Sequence, residues 1–283
     1  MMTEELKVTH TLPSDSEQIP VVWRYELLKY LRSKRLVASL AIVAVMVSLL
    51  YLLPFAFGDS YEDTSSEDFA TTFMGFASIL VIICATFFGA DSIVSEFQNR
   101  TGYLILPNPI KRSTLFLGKF SASVTAGVIV IGLFYVLTVI LSLISTGGID
   151  ADFGLSFAFC IEYLVAAMAV AYLIGTILKG STGAIVLTFF LLFMILPIVD
   201  GVSMVADVEI DGSLTYAAGV ITYILEDPYP VDNSTSMDMG QGQGLTFSVF
   251  YPDPGIAALV MFAYAIVALA FSMVLFKRKQ LVG

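Results

Sequence analysis

The sequence predicts an all-α polytopic membrane protein with six transmembrane helices and both termini cytoplasmic, and three observations carry the prediction. Hydrophobic residues make up 57% of the 283 and charged residues only 13%, where soluble domains average roughly 45–50% and about 25%. Six apolar runs, 36–57, 70–90, 120–144, 153–178, 182–199 and 255–276, are long enough for a helix to cross a bilayer. Threading the chain alternately through them puts all 14 lysines and arginines on one side, the side that positive charge marks as cytoplasmic. The runs are continuously apolar rather than alternating, so they are helices that satisfy their own backbone and not strands of a barrel.

Ahead of the first run, residues 1–20 are polar and acidic and lack the basic start and short apolar core of a signal peptide, so a flexible cytoplasmic tail is expected. Between 21 and 36, Trp23, Leu27, Tyr30 and Leu31 share one helical face and Lys29, Arg32 and Ser33 the other. That is the pattern of a helix lying in the cytoplasmic interface, although the basic residues alone also serve as a positive-inside flank. The first run carries Pro54 near its outer end, where a kink breaks few backbone bonds. Gly75, Ala77, Ser78 and Gly89 in the second run, and Ser121, Ser123, Gly127 and Gly132 in the third, are small enough for close helix approach. Cys84 and Cys160 fall inside apolar runs, where buried, unpaired thiols are expected.

The fourth run holds Glu162, the one acidic residue well inside a run. An intramembrane carboxylate is a functional candidate by default. It could bind a cation, relay protons, or accept a hydrogen bond beside a water-filled vestibule, and with no basic residue inside any run a protonated form is expected. Lys179-Gly180-Ser181 makes a tight inner turn, and Pro197 kinks the fifth run. The external segment 200–254 contains one apolar stretch, 214–225, too short to cross and suited to an external or re-entrant helix. Asn233-Ser234-Thr235 is a glycosylation triplet, and Met237 and Met239 alone are weak grounds for copper.

The segment 91–119 is the largest charged connection on the basic side. Over 92–106, Ile93, Val94, Phe97, Leu104 and Ile105 project to one side and Ser95, Gln98, Asn99 and Gly102 to the other, predicting an amphipathic helix along the membrane surface. Pro107 and Pro109 end it, and Lys111, Arg112 and Lys119 are expected at the head groups where the third run begins.

Several chemistries are excluded. His10 is the single histidine, which removes HExxH zinc sites and Ser-His arrangements. No GxxxxGK[ST] occurs, so the chain has no P-loop of its own, and no basic aromatic surface suits nucleic acid. The net charge of −10 comes largely from acidic outer loops. Such acidity fits a halophilic source, or attraction of external cations.

In order and spacing, Asp91-Ser92-Ile93, Glu96, Thr101-Gly102, Leu104-Ile105-Leu106, Pro109-Ile110, Arg112 and Gly118-Lys119 form a pattern that resembles the membrane subunits of ABC-2 type ABC transporters. The branch that includes the nitrous-oxide-reductase maturation permease is among those it resembles. Phe97-Gln98 stands where the family usually has a second acidic residue, and the family's Gly-Thr order is inverted. The resemblance implies a single permease domain over 21–283, with 91–119 as a segment that couples to an ATPase through Asp91, Ile93, Glu96, Phe97, Arg100, Gly102, Pro109 and Arg112. It implies a multi-pass protein of the plasma membrane, surrounded by lipid, working as a homodimer or with a sister permease. Two copies of a cytoplasmic ABC ATPase would bind ATP and magnesium, this chain binding no cofactor itself, and export is the expected direction. An ion-coupled secondary transporter using Glu162, or a non-transporting anchor that passes force to an external partner, are the alternatives.

Overall fold

The computed structural model describes residues 14–58, 60–61, 64–98, 110–238 and 244–278. Six helices among them are long and apolar enough to cross a membrane: Lys34–Phe57, Ser66–Glu96, Arg112–Ser145, Phe153–Ile177, Ser181–Ala206 and Pro254–Arg278, here spans one to six. Each overlies one of the expected runs, and the chain is a multi-pass membrane protein. The starts of spans three and five meet the ends of spans six and two. Arg112 Nη1 donates to the Lys277 carbonyl at 2.9 Å, and the Ser181 amide donates to Gln98 Oε1 at 2.8 Å. One end of the bundle therefore holds the basic residues among those described, and the connections at the other end are acidic.

Spans two and four supply the centre, and spans one, five and six expose most of their apolar surface. Phe69, Phe73, Phe88, Phe116, Phe134, Tyr163 and Tyr172 are fully buried, and burying aromatics of this size supplies much of the packing free energy. A β-carbon at Gly175 would sit 2.7 Å from the Ala90 carbonyl, so the backbones of spans two and four touch at a point only glycine allows.

Span two is longer than the run that announced it. Ser65 starts it by accepting from the Asp68 amide at 3.0 Å, a cap that frees the first turn from needing apolar residues. Its helix breaks at Gly75–Phe76, passes through a π-helical turn at Ala85–Gly89, and continues as Ala90–Gln98. The expected surface helix over 92–106 is thus, as far as Gln98, the last two turns of span two. Ile93 and Val94, expected on a membrane-facing stripe, are fully buried inside the bundle. Residues 99–109, with Arg100, Gly102 and Pro109, lie outside the described residues.

One further expectation differs from the structure, and two gain detail. The amino-terminal helix spans Asp15–Leu31, beginning inside the stretch expected as tail, with the Ser14 amide donating to the Glu17 carboxylate at 2.8 Å in a capping box. It docks on span three: the Trp23 indole donates to Thr125 Oγ1 at 3.0 Å, and a β-carbon on Gly118 would come within 2.6 Å of Val22. The apolar stretch at 214–225 forms two short helices, Leu214–Ala217 and Val220–Tyr223, that rest on the bundle, with Ser156 Oγ donating to the Ile221 carbonyl at 2.6 Å. Beyond them an antiparallel hairpin, β1 (Asn233–Asp238) and β2 (Gly244–Val249), pairs Asn233 with Val249 and Asp238 with Gly244.

Candidate functional site

At the basic end, five elements bring ionisable and hydroxyl side chains together in two layers. The outer layer is charged. Lys119 of span three, its side chain 0% exposed, places Nζ 2.5 Å from Glu26 Oε1 of the amino-terminal helix and 2.7 Å from Glu96 Oε1 of span two. The half-exposed Lys29 ammonium stands 3.4 Å from Glu26 and 3.9 Å from Glu96. Two carboxylates and two ammonium groups thus balance, which is the condition for keeping charge away from water. Lys119, expected at the head groups, is buried between helices, two turns into the one that starts at Arg112.

One turn deeper lies a layer of hydroxyls. Tyr30 and Ser123 share a hydrogen bond at 2.9 Å, Ser123 and Tyr172 one at 2.7 Å, and Tyr172 donates to Ser92 Oγ at 2.7 Å. Burial pushes the Tyr30 phenol above its ordinary pKa, so it stays a hydrogen-bond donor.

The π-helical turn explains why these groups gather here. A π turn displaces carbonyls from the regular ladder, and displaced buried carbonyls need other donors. The Phe88 carbonyl lies within hydrogen-bond reach of Tyr30 Oη and Ser123 Oγ, at 3.1 and 3.0 Å, and Arg35 Nη1 donates to the Phe87 carbonyl at 3.2 Å. Arg35 Nη2 also holds Asp91 Oδ2 at 2.5 Å, while the buried Oδ1 has no hydrogen-bond partner among the described residues. The end of span two is therefore fastened to the amino-terminal helix, span one, span three and span four.

Of the residues implied for ATPase coupling, Asp91, Ile93 and Glu96 point into this assembly and are buried, and Arg112 ties the start of span three to the end of span six. Phe97 lies on the helix, its side chain outside the described residues. Glu162 is remote from the cluster, on span four, half-buried and without a hydrogen-bond or ion-pair partner among the described residues. Both cysteines are free and buried, and no group of three metal-ligating side chains occurs among the described residues.

Glu26, Tyr30, Arg35, Lys119, Ser123 and Tyr172 were not expected in a site. The sequence does carry a trace of them. Glu26 and Tyr30, Ser92 and Glu96, and Lys119 and Ser123 are each four residues apart, so three helices each present one charge and one hydroxyl on the same face.

A family profile described as ABC-2 family transporter protein matches residues 21–281. No curated protein matches the chain in sequence. The matched region takes in the amino-terminal helix from residue 21 on, all six spans and the cluster, and leaves out only the first 20 residues and the last two.

Proposed function

The chain belongs to the ABC-2 family of transporter proteins, and from that premise we propose that it is the membrane subunit of an exporter driven by separate cytoplasmic ATPase subunits. Its basic end faces the cytoplasm, in keeping with the placement of all 14 lysines and arginines. Two copies, or this chain and a sister permease, pair with two ATPases that bind the ATP and magnesium.

One observation supports this most: the last two turns of span two are bonded to four other helices through Lys29–Glu96, Arg35–Asp91, Lys119–Glu96 and Tyr172–Ser92. A displacement applied beyond Gln98 is shared by the whole basic end, because charge-balanced buried groups resist being parted. Asp91 and Glu96 then act by positioning the segment, and contact with the ATPase falls to the residues that follow them. Sliding or rocking of packed helices is a familiar response to such a displacement.

Photo-cross-linking in native membranes tests the proposal. A cross-linking residue at Gln98 should capture a P-loop ATPase, and one at Val208, exposed at the opposite end, should not. Capture from Val208, or no capture from Gln98 together with solute movement on an ion gradient alone, would contradict it.

A further inference from the structure

A cleft of about 420 Å³ opens at the acidic end between spans two, four and five and the short helix Leu214–Ala217. Ile79, Ile82, Phe193 and Met204 give it hydrocarbon walls, and Tyr163, Asp200 and Thr215 supply its polar groups. The sequence alone places Asp200 in the external loop. The structure carries span five on to Ala206, so Asp200 belongs to the helix and turns one oxygen inward.

The polar groups are incompletely matched. Thr215 Oγ1 donates to Asp200 Oδ2 at 2.5 Å, but Asp200 Oδ1 is buried with no hydrogen-bond partner among the described residues. The same holds for the hydroxyl of Tyr163, a residue 0% exposed. A buried carboxylate oxygen and a buried phenol without partners are costly unless something completes them. The chain has nothing to offer: no lysine or arginine occurs between 120 and 178 or between 180 and 276. Any positive charge that meets the carboxylate therefore comes from outside these segments.

We propose that this cleft binds an organic ammonium group carried on a small apolar body. A primary ammonium has three N–H donors, and the cleft offers three acceptors: Asp200 Oδ1, the Tyr163 hydroxyl oxygen, and the lone pairs of Thr215 Oγ1. The carboxylate supplies the counter-charge, and a charge-assisted hydrogen bond is the strongest kind available there. The hydrocarbon of the ligand lies against Ile79, Ile82 and Met204, and Phe193 offers an aromatic face to the cation. A bare metal ion is a poor fit, since hard cations ask for six or more oxygens. The volume lies within the roughly 300–1,000 Å³ of small-molecule sites. The inference goes beyond the transport proposal and does not depend on which energy source drives the chain.

The ammonium could belong to a soluble amine or to a lipid head group, and one experiment separates them. The full chain in phosphatidylglycerol nanodiscs is titrated with n-hexylammonium, n-hexanol and hexanoate, reading heat of binding and melting temperature. Hexylammonium should bind at least about tenfold tighter than the other two. Asp200→Asn should remove that preference, and Tyr163→Phe, which deletes one unpartnered oxygen and keeps the ring, should weaken hexylammonium several-fold without lowering the melting temperature of the unliganded protein. In phosphatidylethanolamine nanodiscs, loss of hexylammonium binding identifies the lipid head group as the source, and unchanged binding a soluble amine. Equal binding of hexylammonium and hexanol would overturn the proposal. So would unaltered hexylammonium binding by Tyr163→Phe, which stands as a test even where Asp200→Asn does not fold.

Discussion

Lys119 Nζ lies 2.7 Å from Glu96 Oε1 although the lysine side chain is 0% exposed and the carboxylate is almost as deeply covered. The pair joins the start of span three to the end of span two, and Glu26 completes it from the amino-terminal helix. Lys119→Met leaves two carboxylates facing each other with only the half-exposed Lys29 ammonium between them. Breaking one side of a buried ion pair costs about 3–5 kcal/mol, so thermal unfolding in detergent should show a large drop in melting temperature. Adding Glu26→Gln and Glu96→Gln should recover most of it. A drop that stays when all three charges are gone would mean that shape, and not charge, holds this corner.

Gly118 and Val22 make a second contact between the same helices. A methyl group at 118 would overlap Val22, with carbons 2.6 Å apart, so Gly118→Leu should lift the amino-terminal helix from span three at a cost of about 1–3 kcal/mol. Trp23 is the single tryptophan, bonded to Thr125 at 3.0 Å, and its emission should shift to the red as the indole meets water. Val22→Ala in the same chain should move the emission back. Emission that does not change on Gly118→Leu would show that the helix is held elsewhere.

Arg35 closes two open groups at once, the Phe87 carbonyl and the Asp91 carboxylate. Arg35→Lys keeps the charge but cannot span both in a planar fork. It should therefore destabilise the π-helical turn, raising amide exchange over 85–91 above that of spans three and four. Equal exchange throughout the bundle would remove the arginine's part in holding the turn.

At the acidic end, burial and then the nearby Glu67 carboxylate push Glu226 above its ordinary pKa. The folded state then binds a proton more readily than the unfolded one, so this residue contributes more stability as pH falls through its folded value, and less as pH rises past it. Glu226→Gln should accordingly raise the melting temperature slightly at about pH 7, and the gain should vanish by about pH 3, where both states are protonated. A gain that persists at low pH would point to something other than charge.

The six spans were legible because bilayer-length apolar runs depend on composition alone. Their ends were not. Glu96, Lys119 and Asp200 read as the edges of loops, since a charge in one sequence usually means water, and only their partners on other helices reveal the first two as buried and the third as half-buried. The Glu26, Glu96 and Lys119 cluster draws on three segments spread over 94 positions, and no local pattern joins them. The four-residue spacing of charge and hydroxyl was visible, but it becomes informative only once the three helices are known to face one another. The hairpin at 233–249 was missed for a different reason: Leu245, Phe247 and Val249 alternate with polar residues in its second strand, but the first, Asn233-Ser234-Thr235-Ser236, carries no such alternation to pair with it.

If the end of span two transmits work from an ATPase, the most direct measurement is ATP hydrolysis by the complex purified from native membranes through a tag on this chain. The wild-type eluate should contain a P-loop ATPase and hydrolyse ATP. Glu96→Gln, which keeps a hydrogen bond to Lys119 but removes the charge, should lower that hydrolysis by about tenfold with the ATPase still bound. An eluate without an ATPase, or hydrolysis indifferent to Glu96→Gln, would contradict the mechanism.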